Sequence, residues 1–258
     1  ENLCDIHCAL GPEATSVTCR EHPRFIEDYG PFQEITLSAA CPKANELLLG
    51  TRDPLTFSER QDNQPTEDGD EWLDWLVPLR DRLLDLLRDF LLITGEAQQL
   101  FDSENMAELA AFCTGSWATS AETNAGSGSW EAAACQCLQD LEILEPDWLA
   151  LLKQWEQAPE LPGFAPQDPE KLERIAVYFA FRYLLKAVND GDLLGRAQFC
   201  ALGVLVTDRL SRFVGLPEAL RLFSREIEHN EDNLDTLLEQ FWQTEGLSLS
   251  ALLAAFGG

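Results

Sequence analysis

The sequence predicts a mainly α protein: a multi-helix domain preceded by a small, loop-rich lobe that carries cysteines. Three observations predict it. Apolar residues recur at helical spacing through most of 71–258, as in Leu83, Leu84, Leu86, Leu87, Phe90 and Leu91. Strand signals are scarce, and the best of them, Gln33-Glu34-Ile35-Thr36-Leu37, is short. Residues 1–57 are punctuated by Pro23, Pro31, Pro42 and Pro54 and hold Cys4, Cys19 and Cys41, so short helices at most are expected there.

Residues 58–70 have no apolar side chain and read as an exposed acidic linker. The chain thus divides into 1–57, 58–70 and 71–258. A long helix, or two, is expected over 71–94, with Pro78 a point of kinking. The next helix runs from Glu96 to about Cys113. Gly126-Ser127-Gly128-Ser129 breaks the chain before helices from Trp130 to about Ile143 and from Glu145 to Glu156. Pro162, Gly163 and Pro166 mark a loop. Asp168-Pro169-Glu170 starts a helix, with an N-cap, a proline in the first turn and an acid favoured by the dipole; it is expected to run through Val188. Asp190-Gly191-Asp192 turns the chain into a helix from about Leu193 to Phe213. Helices over Leu216–His229, Asp232–Trp242 and Ser248–Phe256 complete the domain.

A chain of 258 residues can bury a full core, and an apolar content of 45% excludes a disordered acidic tail. The charge is unusual: 18 basic against 45 acidic residues give −27. Such a surface repels nucleic acid and anionic lipid. It favours a basic partner, a cationic substrate or a lysine-bearing polypeptide; a solvated acidic surface is the plain alternative. No apolar run approaches the ~20 residues a membrane-spanning helix needs.

The chain has eight cysteines but is too large to depend on disulfides, and Cys113 and Cys200 lie in apolar helical contexts. A reducing cytoplasm and a monomer are expected. Thiolates gathered from separated loops bind soft metals, zinc or an iron–sulfur cluster. Cys4, Cys19 and Cys41 are one ligand short of a closed site. The chain starts at Glu1 and its one methionine is Met106, so a longer protein with a further ligand upstream is expected. Cys8, four residues after Cys4, is the alternative fourth ligand. Three inert buried thiols are the plain reading. Cys135 and Cys137 point to different faces of a helix, which argues against a shared metal.

Several common sites are absent from the sequence. There is no phosphate-binding loop, no nucleophile elbow and no His-x-x-x-His pair; the glycine cluster at 125–129 does not follow a strand. Polar residues in two other places draw notice. Arg182 lies among Tyr178, Phe179, Phe181 and Tyr183, so its charge needs a partner: Asp190, Glu226 or the carboxylate of a bound cofactor. Ser224-Arg225-Glu226-Ile227-Glu228-His229-Asn230 gathers polar side chains into two helical turns. Arg225, Glu228 and His229 share one face there, and Glu226, Asn230 and Asn233 another. Either this is a solvated helix end or a buried polar network.

Three segments taken in order resemble the flagellin lysine-N-methylase family. The first is Leu3-Cys4-Asp5-Ile6-His7 with Leu10-Gly11, then Thr18-Cys19-Arg20-Glu21-His22-Pro23-Arg24, then Leu37-Ser38 and Cys41-Pro42-Lys43-Ala44. The second is Tyr178-Phe179-Ala180-Phe181-Arg182-Tyr183-Leu184-Leu185-Lys186-Ala187 followed by Asp190-Gly191-Asp192-Leu193, and the third is Ser224–Asn230 closed by Asn233. The resemblance covers most of the chain. It implies a cytoplasmic enzyme that moves a methyl group from S-adenosylmethionine to lysine amines of flagellin. It also implies a [4Fe–4S] cluster, with Cys4, Cys19 and Cys41 matching family cysteines; the family's Cys-Pro-Phe-like segment just before the first of them is absent here. Under this reading Glu226, His229 and Tyr183 are the candidate catalytic residues, and Arg182, Asp190, Arg225 and Asn233 the candidate cofactor contacts. Methyl transfer to an amine is an in-line displacement needing a neutral lysine, so carboxylates that orient it and a His or water that takes its proton are the groups wanted. Aromatic and carboxylate groups suit the sulfonium. Two rivals share the sequence: a non-catalytic metal-binding helical protein, and an acidic helical chaperone or binding module for flagellin.

Overall fold

A computed structural model of the protein describes residues 4–50, 55–61, 67–94, 130–158 and 168–256, and the side chains of 86–94 and 253 are not described. The expected helix at 96–113, the glycine–serine break at 126–129 and the loop at Pro162–Pro166 lie outside the described residues. The fold is mainly α, as expected. The helices are α1 (Asp5–Leu10), α2 (Val17–Glu21), α3 (Pro42–Gly50), α4 (Leu73–Thr94), α5 (Trp130–Asp140), α6 (Pro146–Glu156), α7 (Pro169–Tyr183), α8 (Ala187–Asp190), α9 (Leu193–Val214), α10 (Leu216–Phe223), α11 (Glu231–Gln243) and α12 (Leu249–Phe256). No helix among the described residues is long and apolar enough to cross a membrane.

Helix α9 runs through the middle of the bundle, against α6, α7, α10, α11 and α12. It is buried almost all round, which fits its apolar residues on every face: Phe199, Leu202, Val206 and Leu210 are each fully buried. Helix α7 starts where the cap signal stands, with the Asp168 carboxylate accepting the Lys171 N–H at 3.2 Å. Its buried stripe sends Phe179 into a nest of rings, edge-on to Tyr178, Phe199 and Phe223 at 5.3–5.9 Å. Gly203 of α9 lets this ring approach, because a Cβ there would lie 2.8 Å from Phe179. Gly203→Ala is therefore expected to overpack the core and cost about 1–3 kcal/mol. Denaturant unfolding checks this; a neutral substitution would mean the Phe179 ring can move aside.

The front lobe differs from the expectation of loops and short helices. It contains an antiparallel hairpin, β1 (Arg24–Asp28) and β2 (Gln33–Leu37), with Phe25 opposite Thr36, Ile26 opposite Ile35 and Glu27 opposite Glu34. The second strand is the candidate read from the sequence; the first was missed. Its signal was the turn Tyr29-Gly30-Pro31-Phe32 between two five-residue segments, where Gly30 takes φ +87° and donates its N–H to Asp28 at 2.9 Å.

The hairpin is inverted relative to an ordinary amphipathic one. Ile26, Ile35 and Leu37 face outward and are exposed. Phe25, Glu27, Glu34 and Thr36 face the helices. Two like charges directly opposite would repel. Here Lys186 pairs with Glu27, and Arg80 of α4 pairs with Glu34.

Boundaries differ in smaller ways. Residues 73–94 form one helix that contains Pro78, whose ring removes the N–H that the Asp74 carbonyl would otherwise accept. The helix expected to continue through Val188 gives way at Tyr183 to a 3₁₀ turn, Leu184–Lys186. The expected α-helix to His229 ends at Phe223 and continues as a π-helical turn over Ser224–Glu228. In the linker, residues 58–61 and 67–70 are exposed and outside regular structure.

Candidate functional site

The π turn decides which side chains meet. A wider turn after the amphipathic α10 brings Ser224, Glu226, Ile227 and Glu228 all inward and leaves Arg225 outside. Arg225 and Glu228 thus do not share a face, contrary to the α-helical expectation.

Glu228 is the hub. Its side chain is 0% exposed. Tyr178 donates to both carboxylate oxygens at 3.0 Å, and Tyr183 donates to one at 3.0 Å. The Arg182 Nε lies 2.9 Å from the same oxygen. That N–H is not aligned for a hydrogen bond, so the contact is a charge pair. Arg182 donates from its terminal nitrogen to Thr36 Oγ1 at 2.9 Å and stacks on the Phe25 ring. Tyr178 also accepts the Ala39 N–H at 3.3 Å. The front lobe and the helices are therefore joined at this network.

Burial lowers the Arg182 pKa, but Tyr183, Glu228 and Tyr178 around it outweigh this and hold it above the ordinary value. Burial, reinforced by the Glu228 charge, pushes both tyrosines well above their ordinary value, so they act as neutral donors.

His229 stands at the open edge of this network. It is exposed, yet its Nε2 lies 2.6 Å from Ser38 Oγ, which is fully buried. Its ring packs 5.0 Å from Phe25 and 6.5 Å from His22. Partial burial lowers its pKa below 6.5, and Arg182, His22 and Arg225 add to this against the opposing pull of Glu228. The shift favours the neutral imidazole at pH 7.

The other candidates lie apart from this edge. The Glu226 carboxylate, fully buried, accepts the N–H groups of Leu144 at 2.9 Å and Glu145 at 2.7 Å, just before α6. Asn233 accepts the Glu142 N–H and donates to the carbonyls of Glu142 and Glu226. Both side chains are engaged in joining α11 and the π turn to the 142–145 segment. Arg225 pairs with Glu145 at 2.9 Å. Asp190 pairs with Arg196 at 3.1 Å rather than with Arg182. The partner of Arg182 is Glu228, not Asp190 or Glu226: the π turn rotates Glu228 inward. Tyr178, Phe25, Thr36 and Ser38 join the site without having been named as site residues. A Tyr four residues before a buried Arg was the one local signal.

Cys4, Cys8 and Cys19 are exposed and Cys41 is half-buried. Among the described residues no three His, Cys, Asp or Glu side chains gather as a metal-binding group. Cys135 and Cys137 are buried in α5, with the Cys137 thiol pushed up to about 11 by burial. A crevice lined by Leu76, Leu79, Arg80, Leu83, Leu184 and Leu193 is too shallow to admit a water molecule. Comparison with protein-family models, with curated proteins and with solved structures gave no match.

Proposed function

We propose that the chain is an S-adenosylmethionine-dependent protein-lysine N-methyltransferase, acting on flagellin lysines in the cytoplasm. The observation that carries this reading is convergence. The three segments of the family resemblance are far apart in sequence, yet Ser38 meets His229, Ala39 meets Tyr178, and Tyr178, Arg182 and Tyr183 meet Glu228.

S-adenosylmethionine, when bound, supplies the electrophilic methyl. The Phe25 ring, which already carries the Arg182 guanidinium, stands beside His229. The Arg182–Glu228–tyrosine network is closed on itself and holds the lobe against α7. His229 is the polar member that faces outward. Being neutral, it does not repel an incoming lysine ammonium, whose proton must be lost to His229 or to water before attack. Cluster binding by Cys4, Cys19 and Cys41 requires the front lobe to draw them together.

The test is a methyl-transfer assay of the full chain on flagellin, with mass spectrometry of the product. Lysines gaining methyl mass are expected, with iron and sulfide measured on the same preparation. His229→Ala is expected to lower transfer by about 10²-fold. No transfer by intact protein would overturn the reading. The completed Arg182–Glu228 network favours a second one, a non-catalytic module binding a basic partner through its acidic surface. That reading predicts salt-sensitive flagellin binding without methylation.

A further inference from the structure

We infer that the Ser38 hydroxyl donates its proton to His229 Nε2, fixing the imidazole as the Nδ1–H tautomer and making His229 a hydrogen-bond donor toward the substrate. The argument is a complete account of one buried hydroxyl. Ser38 Oγ is fully buried and already accepts the Ala40 N–H at 3.1 Å. Its only other partner among the described residues is His229 Nε2 at 2.6 Å. If Nε2 carried the proton, the Ser38 O–H would be buried with no acceptor, which costs free energy. With the hydroxyl donating, both groups are satisfied.

The backbone holds Ser38 in place. Its N–H donates to the Pro23 carbonyl at 2.7 Å and its carbonyl accepts the Cys41 N–H at 3.1 Å, at the start of α3. His229 makes no other side-chain hydrogen bond among the described residues. Nδ1–H is thus left for an acceptor from outside, a carbonyl or carboxylate oxygen. Ser38 is a positioning residue: it acts through His229, from a different lobe. Partial burial favours the neutral imidazole, the form this tautomer requires.

The role toward a substrate rests on the methyltransferase reading, where it assigns the lysine's proton to water rather than to His229. Full-length protein labelled isotopically in nitrogen gives the tautomer directly from the imidazole resonances; the one lost in His229→Asn identifies His229 among the three histidines. The expected result is a protonated Nδ1 and an unprotonated Nε2. Ser38→Ala shifts the proton toward Nε2, and Ser38→Thr, which keeps the hydroxyl, restores the wild-type pattern. A protonated Nε2 in wild type, or an unchanged spectrum in folded Ser38→Ala, overturns the inference.

Activity separates donor from base. Asn places an amide donor near the position of Nδ1. His229→Asn is expected to retain at least about 10-fold more methyl transfer than His229→Ala, whereas loss of a general base costs about 10²–10⁴-fold in both. Equal loss overturns the donor role. No transfer by wild type refutes the methyltransferase reading and leaves the tautomer result to stand or fall by its own spectrum.

Discussion

Glu228→Ala is expected to cost about 3–5 kcal/mol, the usual penalty for stranding one member of a buried ion pair. For a chain of this size that is roughly 6–20 °C in Tm at about 2–4 °C per kcal/mol. The reason is local. Removing the carboxylate leaves the Arg182 charge buried, with a side chain 2% exposed, and takes the acceptor from Tyr178 and Tyr183. Arg182→Met strands the opposite charge and is expected to cost a similar amount. The double variant Arg182→Met, Glu228→Leu removes both charges and is expected to cost less than either single change. Calorimetry of the three variants decides it. A single substitution costing under about 1 kcal/mol would mean that water reaches the pair and that it behaves as an exposed bridge.

Glu226→Ala is expected to cost about 2–4 kcal/mol, since two backbone N–H groups each lose a charged acceptor at about 1.5–3 kcal/mol apiece before relaxation. Burial, the largest influence, raises the Glu226 pKa above its ordinary value even though the two N–H groups lower it. Glu226→Gln is expected to fall between, because the amide turns one NH₂ toward an N–H it cannot accept. The family resemblance implies a catalytic role for Glu226, and in the structure its carboxylate accepts the N–H groups of Leu144 and Glu145. The two roles separate cleanly. If the folded fraction of Glu226→Gln keeps its methyl transfer and loses only stability, the residue is a scaffold; loss of transfer at unchanged stability would make it catalytic.

Much of the helical frame was legible because its signals are local. The Asp168-Pro169 start, the Asp190-Gly191-Asp192 turn and the helical spacing of leucines each act within a few residues. The first strand was not legible because three of its five residues, Arg24, Glu27 and Asp28, are charged and of low strand preference. Glu27 and Glu34 point inward only because Lys186 and Arg80 wait there, about 160 and 46 residues away in sequence respectively. The candidate site was half legible. Arg182 announced itself as a charge in an apolar run, and the stretch 224–230 as a polar cluster, yet the spacing rule paired the wrong residues. A π turn changes which side chains share a face, and nothing in Ser-Arg-Glu-Ile-Glu marks one.

By itself the sequence determined the α-rich class, the positions of most helices and the acidic surface, because propensity, capping and charge count are properties of neighbours along the chain. Tertiary structure decided the rest: that Glu228 rather than Asp190 or Glu226 meets Arg182, that Glu226 and Asn233 hold the 142–145 segment, and that Ser38 reaches His229. Each of these is a long-range contact between buried polar groups. Such groups take whichever partner satisfies their charge and hydrogen bonds once the core has closed, and no local pattern names that partner in advance.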